Sequence, residues 1–146
     1  MSRRFVACLV GLSAVLAFVA LGLPMANAQS GQVRFVVPFA FTVGASEMSA
    51  GTYFVTRDDA ASTSFITVRN SKQTIGVSSN PLSTSSTGPA RLVFKRYRQH
   101  YFLREVWFQS NGGRALPETG KEHILAEDSR AALEPPAIVT IVASPR

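Results

Sequence analysis

The sequence predicts a mainly β protein, a single small sandwich or barrel of about seven short strands with one short helix near the C-terminus. Three observations carry that reading. Val33, Phe35, Val37, Phe39, Phe41 and Val43 are apolar at every second position, the period of a strand with one buried face. Turn-forming clusters recur at short intervals after it. Only one segment, near Thr119, carries a helix start signal.

The elements follow in order. Arg34 and Thr42 lie on the polar side of the first strand, and Gly44 ends it. Pro38 also sits on that side and offers no ladder donor, which places the strand at a sheet edge or gives it a bulge. An exposed edge there could accept a strand from a second copy or another partner. Ala50-Gly51 leads into Thr52–Thr56, and Asp58 to Ser62 forms a hairpin loop. Phe65 to Arg69 returns, Asn70-Ser71-Lys72 turns, and Thr74 to Ser78 runs back. Ser79 to Ala90, rich in Ser, Thr and Pro, reads as a loop.

The next stretch is the densest. Arg91 to Arg96 and Tyr101 to Phe108 form a strand pair around Tyr97 to His100, and Asn111-Gly112-Gly113 is a turn. Thr119 and Glu122 have capping-box spacing. The helix that follows passes through Ile124 and Leu125. Asp128 falls on its apolar side, so the helix ends near there or leaves that face only partly buried. Pro135-Pro136 breaks the chain, and Ile138 to Val142 makes the last strand.

Residues 1–28 stand apart. Arg3 and Arg4 precede an apolar run from Phe5 to Leu23, Pro24 ends it, and Ala26-Asn27-Ala28 supplies small residues at the cleavage positions. These are the parts of a secretory signal peptide. The β-rich domain is then 29–146, exported to the periplasm or beyond the cell, with no integral membrane span once the leader is removed. Cys8, the only cysteine, leaves with the leader. Thiol chemistry and cysteine-bound metals are thereby excluded from the mature chain. Without Arg3 and Arg4, 13 basic and 9 acidic residues remain, a net charge of +4. That excess favours solubility and a mild attraction to anionic envelope surfaces.

One constellation draws attention as a binding face. Lys95, Arg96, Tyr97, Arg98, Tyr101, Arg104 and Trp107 interleave cations with rings on one strand pair. Cations hold anionic groups while rings stack on sugars or bases. A core hairpin whose outward residues are basic produces the same alternation. Glu105 lies diagonal to Lys95 in one register, which fits local charge pairing. Nucleic acid is disfavoured as a partner by export.

Catalytic and metal signals are weak. His123 and Glu127, like Glu118 and Glu122, are four apart on the helix, which reads as a solvated face rather than a metal site. Asp58 and Asp59 read as loop residues. No Gly-x-Ser-x-Gly elbow, phosphate loop, dinucleotide fingerprint or His-Glu-x-x-His occurs. No catalytic residue, metal or cofactor is therefore expected.

Val37-Pro38-Phe39-Ala40-Phe41-Thr42-Val43-Gly44, Ala50-Gly51-Thr52-Tyr53, Leu92 to Tyr97 and Tyr101 to Trp107 follow one another in an order that resembles a family of small, uncharacterised exported bacterial β-domain proteins. The resemblance covers most of the mature chain and implies a β domain of the cell envelope with no catalytic role. Ala50-Gly51-Thr52-Tyr53 is also similar to a motif of transthyretin-like and carboxypeptidase-regulatory β-sandwich modules.

The expected function is that of an exported, non-catalytic β domain that binds an envelope component or another protein. Two alternatives follow from other features. Eight phenylalanines in the mature part would suit a small barrel carrying an apolar ligand. A hydrolase of envelope polymers would use carboxylates such as Glu105 or Glu118 facing one cleft.

Overall fold

Eleven strands and one helix make up the described residues of this computed structural model, which are 31–58, 64–83, 87–109 and 112–145. The leader expected at 1–28 lies outside them, as do Asp59 to Ser62 and Asn111 of the expected turns. The fold is mainly β, with two sheets, one of them curled into a half-barrel, and the helix near the C-terminus.

The first sheet is antiparallel, in the order β1 (Val33–Val37), β4 (Gly51–Asp58), β5 (Phe65–Arg69), β6 (Thr74–Ser78). Its inner face carries Phe35, Val37, Tyr53, Val55, Ile66, Val68 and Val77, all buried. Alternation along each strand turns these residues inward, and leaves Val36 and Phe65 exposed on the outer face among polar residues. Asn70 shapes the β5–β6 turn, its Oδ1 accepting the Lys72 and Gln73 backbone N–H groups at 2.8 Å each.

The alternating run from Val33 to Val43 is two strands, not one. Pro38 interrupts the ladder, and the chain crosses from the first sheet to the second over Pro38 to Ala40. β2 (Phe41–Val43) then turns at Gly44, φ +55°, into β3 (Ser46–Met48). Phe39 closes the crossing, its ring stacked on Tyr101 at 3.9 Å and set edge-on to Phe94 at 5.2 Å. This split, with the short strands β3, β7 (Asn80–Pro81) and β10 (Gly112–Ala115), raises the count above the seven expected.

The second sheet runs β11 (Ala137–Val142), β8 (Arg91–Tyr97), β9 (His100–Phe108), β10, β7, with β2 joining β9 in parallel at Thr42 and Phe102. β8 and β9 carry a bulge. Val93 faces Glu105 and Phe94 faces Leu103, so Arg104 has no partner in the register. The extra residue shifts the alternation. Leu103 and Val106, three apart, both reach the core, alongside Leu92, Phe94 and Phe108.

Phe35, Phe41, Tyr53 and Phe94 fill the space between the sheets. Phe41 meets Tyr53 at 5.0 Å and Phe94 at 5.3 Å, both edge to face. Such packing leaves the middle of the molecule filled with rings.

Candidate functional site

Helix α1 (Gly120–Ala131) lies over the outer face of the β8–β9 pair. Thr119 caps it, its Oγ1 accepting the Glu122 N–H at 3.2 Å. The cap and the start match the sequence reading. Of the two outcomes allowed at Asp128 the second holds, since the helix continues past it to Ala131. Ile124 on its apolar side is 63% exposed, so that face is turned largely to water.

The residues the helix buries are Glu122 and Ser129. The solvated face expected for Glu122 is thus corrected, because the side chain is only 1% exposed. Arg104, at the bulge and next to the inward Leu103, faces outward and places Nη1 3.3 Å from Glu122 Oε2. Glu122 Oε1 has no hydrogen-bond partner among the described residues. Burial raises the Glu122 pKa above the ordinary range. Arg104 works against that shift, Glu118 adds to it, and Lys95 and the Thr119 backbone oppose it. Tyr97, packed edge-on to Phe102 at 6.0 Å, is likewise raised, by burial first and then by Glu122 and Glu118.

The helix ends in a turn that uses a leucine where glycine is usual. Leu133 N–H donates to Arg130 C=O at 3.1 Å and Glu134 N–H to Ser129 C=O at 2.9 Å. This is the paired bonding of a Schellman motif, whose first residue past the cap is left-handed. Leu133 holds φ +56° and is 89% exposed. A β-carbon makes that conformation unfavourable by about 1 kcal/mol.

Leu133 stands on the rim of a groove of about 470 Å³ between the C-terminal half of α1 and β8. Lys95 and Tyr97 come from β8, Ser129 and Arg130 from the helix, and Pro135 and Pro136 from the segment that returns to β11. Glu118 and Glu134 add two carboxylates to the lining. An ion pair from Arg98 Nε to Glu134 Oε2, 3.6 Å, ties the hairpin turn to that returning segment. The groove thus offers an apolar ledge of leucine, proline and tyrosine edged by charges of both signs.

The seven residues of the expected basic-aromatic face are distributed over several places. Lys95 and Tyr97 line the groove. Arg104 is held by Glu122. Trp107 is on the same side of the sheet but farther along, where Gly113 lies against its ring and Arg91 sits over it at 4.5 Å. Its Nε1 donates to Glu105 at 2.8 Å, so Glu105 is turned to Trp107 although Val93 places it diagonal to Lys95. Arg96 and Tyr101 pair on the opposite side, beside Phe39. Arg98 stands in the turn at φ +53°.

No local sequence pattern marks Leu133, Pro135 and Pro136 as site residues. Their signal, a leucine where a helix-ending glycine is expected followed by two prolines, becomes legible only once the helix end is placed. His123 and Glu127 do not assemble a metal centre. Glu127 pairs with Arg130, and no group of three potential ligands occurs among the described residues. No described helix is long and apolar enough to cross a membrane.

No protein-family model, curated protein or solved structure matches the chain.

Proposed function

We propose that the protein is an exported, non-catalytic binding domain whose groove between α1 and β8 takes an extended segment of another envelope protein. The observation that carries this reading is Leu133, a large apolar side chain held 89% exposed at φ +56° on the groove rim. Strain that packing does not require is a mark of a functional position. The ledge of Leu133, Pro135, Pro136 and Tyr97 suits an apolar side chain of the partner. Lys95, Arg130, Glu118 and Glu134 suit the polar groups on either side of it. The ring-filled interior favours recognition at this surface over carriage of a ligand within. Glu105, bonded to Trp107, does not line the groove with Glu118, which leaves the hydrolase alternative without a carboxylate pair from those two residues.

The test is photo-cross-linking in the exporting cell. A photoreactive residue at position 133 should yield a discrete protein adduct that the same residue at Gly76, exposed on β6, does not yield. The adduct should be lost when Ala126, in the groove lining, is replaced by Arg. No adduct at 133, or the same adduct from both positions, overturns the reading. Intact mass of the exported protein checks the compartment, since cleavage after Ala28 leaves a chain starting at Gln29.

A further inference from the structure

We propose that the protein forms a two-fold symmetric dimer by pairing β11 with β11 of a second copy, extending the second sheet across both subunits. Among the described residues β11 is laddered only to β8; β1 approaches its other side, bonding near the C-terminal end at Ser144, and forms no ladder with it. The segment Ala137–Val142 carries no charge and no proline, which are the usual guards of an exposed edge. Its outward side chains Ile138 and Val142 are 61% and 53% exposed.

The backbone fixes which amides face that edge. Ala143 N–H donates to Ala90 C=O, toward β8, and Ser144 N–H donates to Arg34 C=O, on the opposite side. Adjacent amides of a strand point opposite ways. Ile138, Thr140 and Val142 therefore present their N–H and C=O groups to the open edge. The chain on either side limits the pairing. Pro136 has no donor, and the Ser144 donor is already taken by β1.

These limits select one antiparallel register. Thr140 pairs with Thr140 of the second copy, and Ile138 of each copy pairs with Val142 of the other. All three free amides of each strand are then used. A shift of two residues toward the N-terminus would set Val142 against Pro136 and lose a donor. A shift of two toward the C-terminus would set Ile138 against the occupied Ser144. Odd shifts would put outward side chains opposite inward ones. The selected register also brings the exposed Ile138 and Val142 side chains together on one face, where cross-strand apolar contact adds to the hydrogen bonds. The edge expected at the Pro38 strand is a weaker candidate, because the Arg34 carbonyl there already accepts Ser144 N–H.

The exported protein should sediment as a dimer whose fraction rises with concentration. Thr140→Pro removes one open-edge donor per copy while leaving the β8 ladder intact. It should weaken association roughly thirtyfold through the two hydrogen bonds lost. Thr140→Lys, which sets two cations side by side on the two-fold axis, should also give monomer, with partial recovery at high salt. In the full chain carrying Cys8→Ser, Thr140→Cys should cross-link between copies with a short thiol reagent, and Ser78→Cys on the β6 edge should not. A protein that stays monomeric at all concentrations overturns the proposal. So does a dimer that folded Thr140→Lys protein retains, or one that cross-links through position 78.

Discussion

The Arg104 guanidinium lies 3.3 Å from the buried Glu122 carboxylate and joins the bulge of β9 to the first turn of α1. Arg104 is the residue of β9 left without a partner opposite Val93 and Phe94. Alternation from the inward Leu103 turns Arg104 outward, and the inserted residue lets Glu105 face the same side before Val106 returns to the core.

Arg104→Ala leaves Glu122 buried and without its guanidinium partner. Breaking a buried pair from one side is far more costly than removing both charges. Arg104 is itself 19% exposed in its side chain, so a loss of roughly 2–3 kcal/mol is expected, below that of a wholly buried pair. Denaturant unfolding measures it. A loss below about 0.5 kcal/mol would mean that the pair behaves as a surface contact.

The acid dependence of stability has a definite sign. Glu122 is raised in the folded protein, chiefly by burial. Its contribution is fully present below the ordinary glutamate pKa and is lost as pH rises through the raised value. Glu47, lowered by its exposed bond to Lys121, acts in the opposite direction, so total stability mixes the two. The difference between the natural protein and Glu122→Gln isolates the first. That difference should move toward the variant as pH rises from 4 to 7, with Glu122→Gln equal to or about 1 kcal/mol more stable at neutrality. A constant difference across this range would show that Glu122 is not the titrating group.

Gly113 offers a test of the outer face. A β-carbon there would stand 2.7 Å from the Trp107 ring, and both Arg91 and Glu105 already hold that ring in place. Gly113→Ala should cost about 2 kcal/mol as an overpacking change. The single tryptophan should report the ring's displacement as a red shift in fluorescence. An unchanged spectrum and unchanged stability would require the ring to have room to retreat.

Much of this architecture is legible in the residues. Period-two alternation, the turns at Gly44 and Asn70, and the Thr119 cap all mark elements that form through local chemistry, whereas Gly112 and Gly113 of the expected turn open strand β10. Pro38 signals a disruption, yet only packing decides that the chain changes sheets there. The bulge is hidden because Arg104 and Glu105 are both polar, and either could be the inserted residue. Glu122 misleads for a related reason. A glutamate at the capping position reads as solvated, and its burial depends on a cation supplied by a distant strand. The basic-aromatic stretch reads as one face because sequence spacing does not register the sheet's two sides. The groove is assembled from the helix end and β8, which no local pattern connects.

Leu133→Gly separates stability from binding. Glycine adopts φ +56° without the β-carbon penalty, so the Schellman turn should be retained and the helix end relaxed. The exposed side chain makes little packing contribution, so the variant should be more stable by about 1 kcal/mol, read as a higher denaturation midpoint. Photo-cross-linking from a groove position left in place, such as Arg130, should at the same time lose the envelope-protein adduct. Most substitutions that remove function from a binding surface leave stability unchanged or lower it. A variant gaining stability while losing the adduct would identify Leu133 as a residue kept for contact. A gain in stability with the adduct retained would place the recognition elsewhere on the domain.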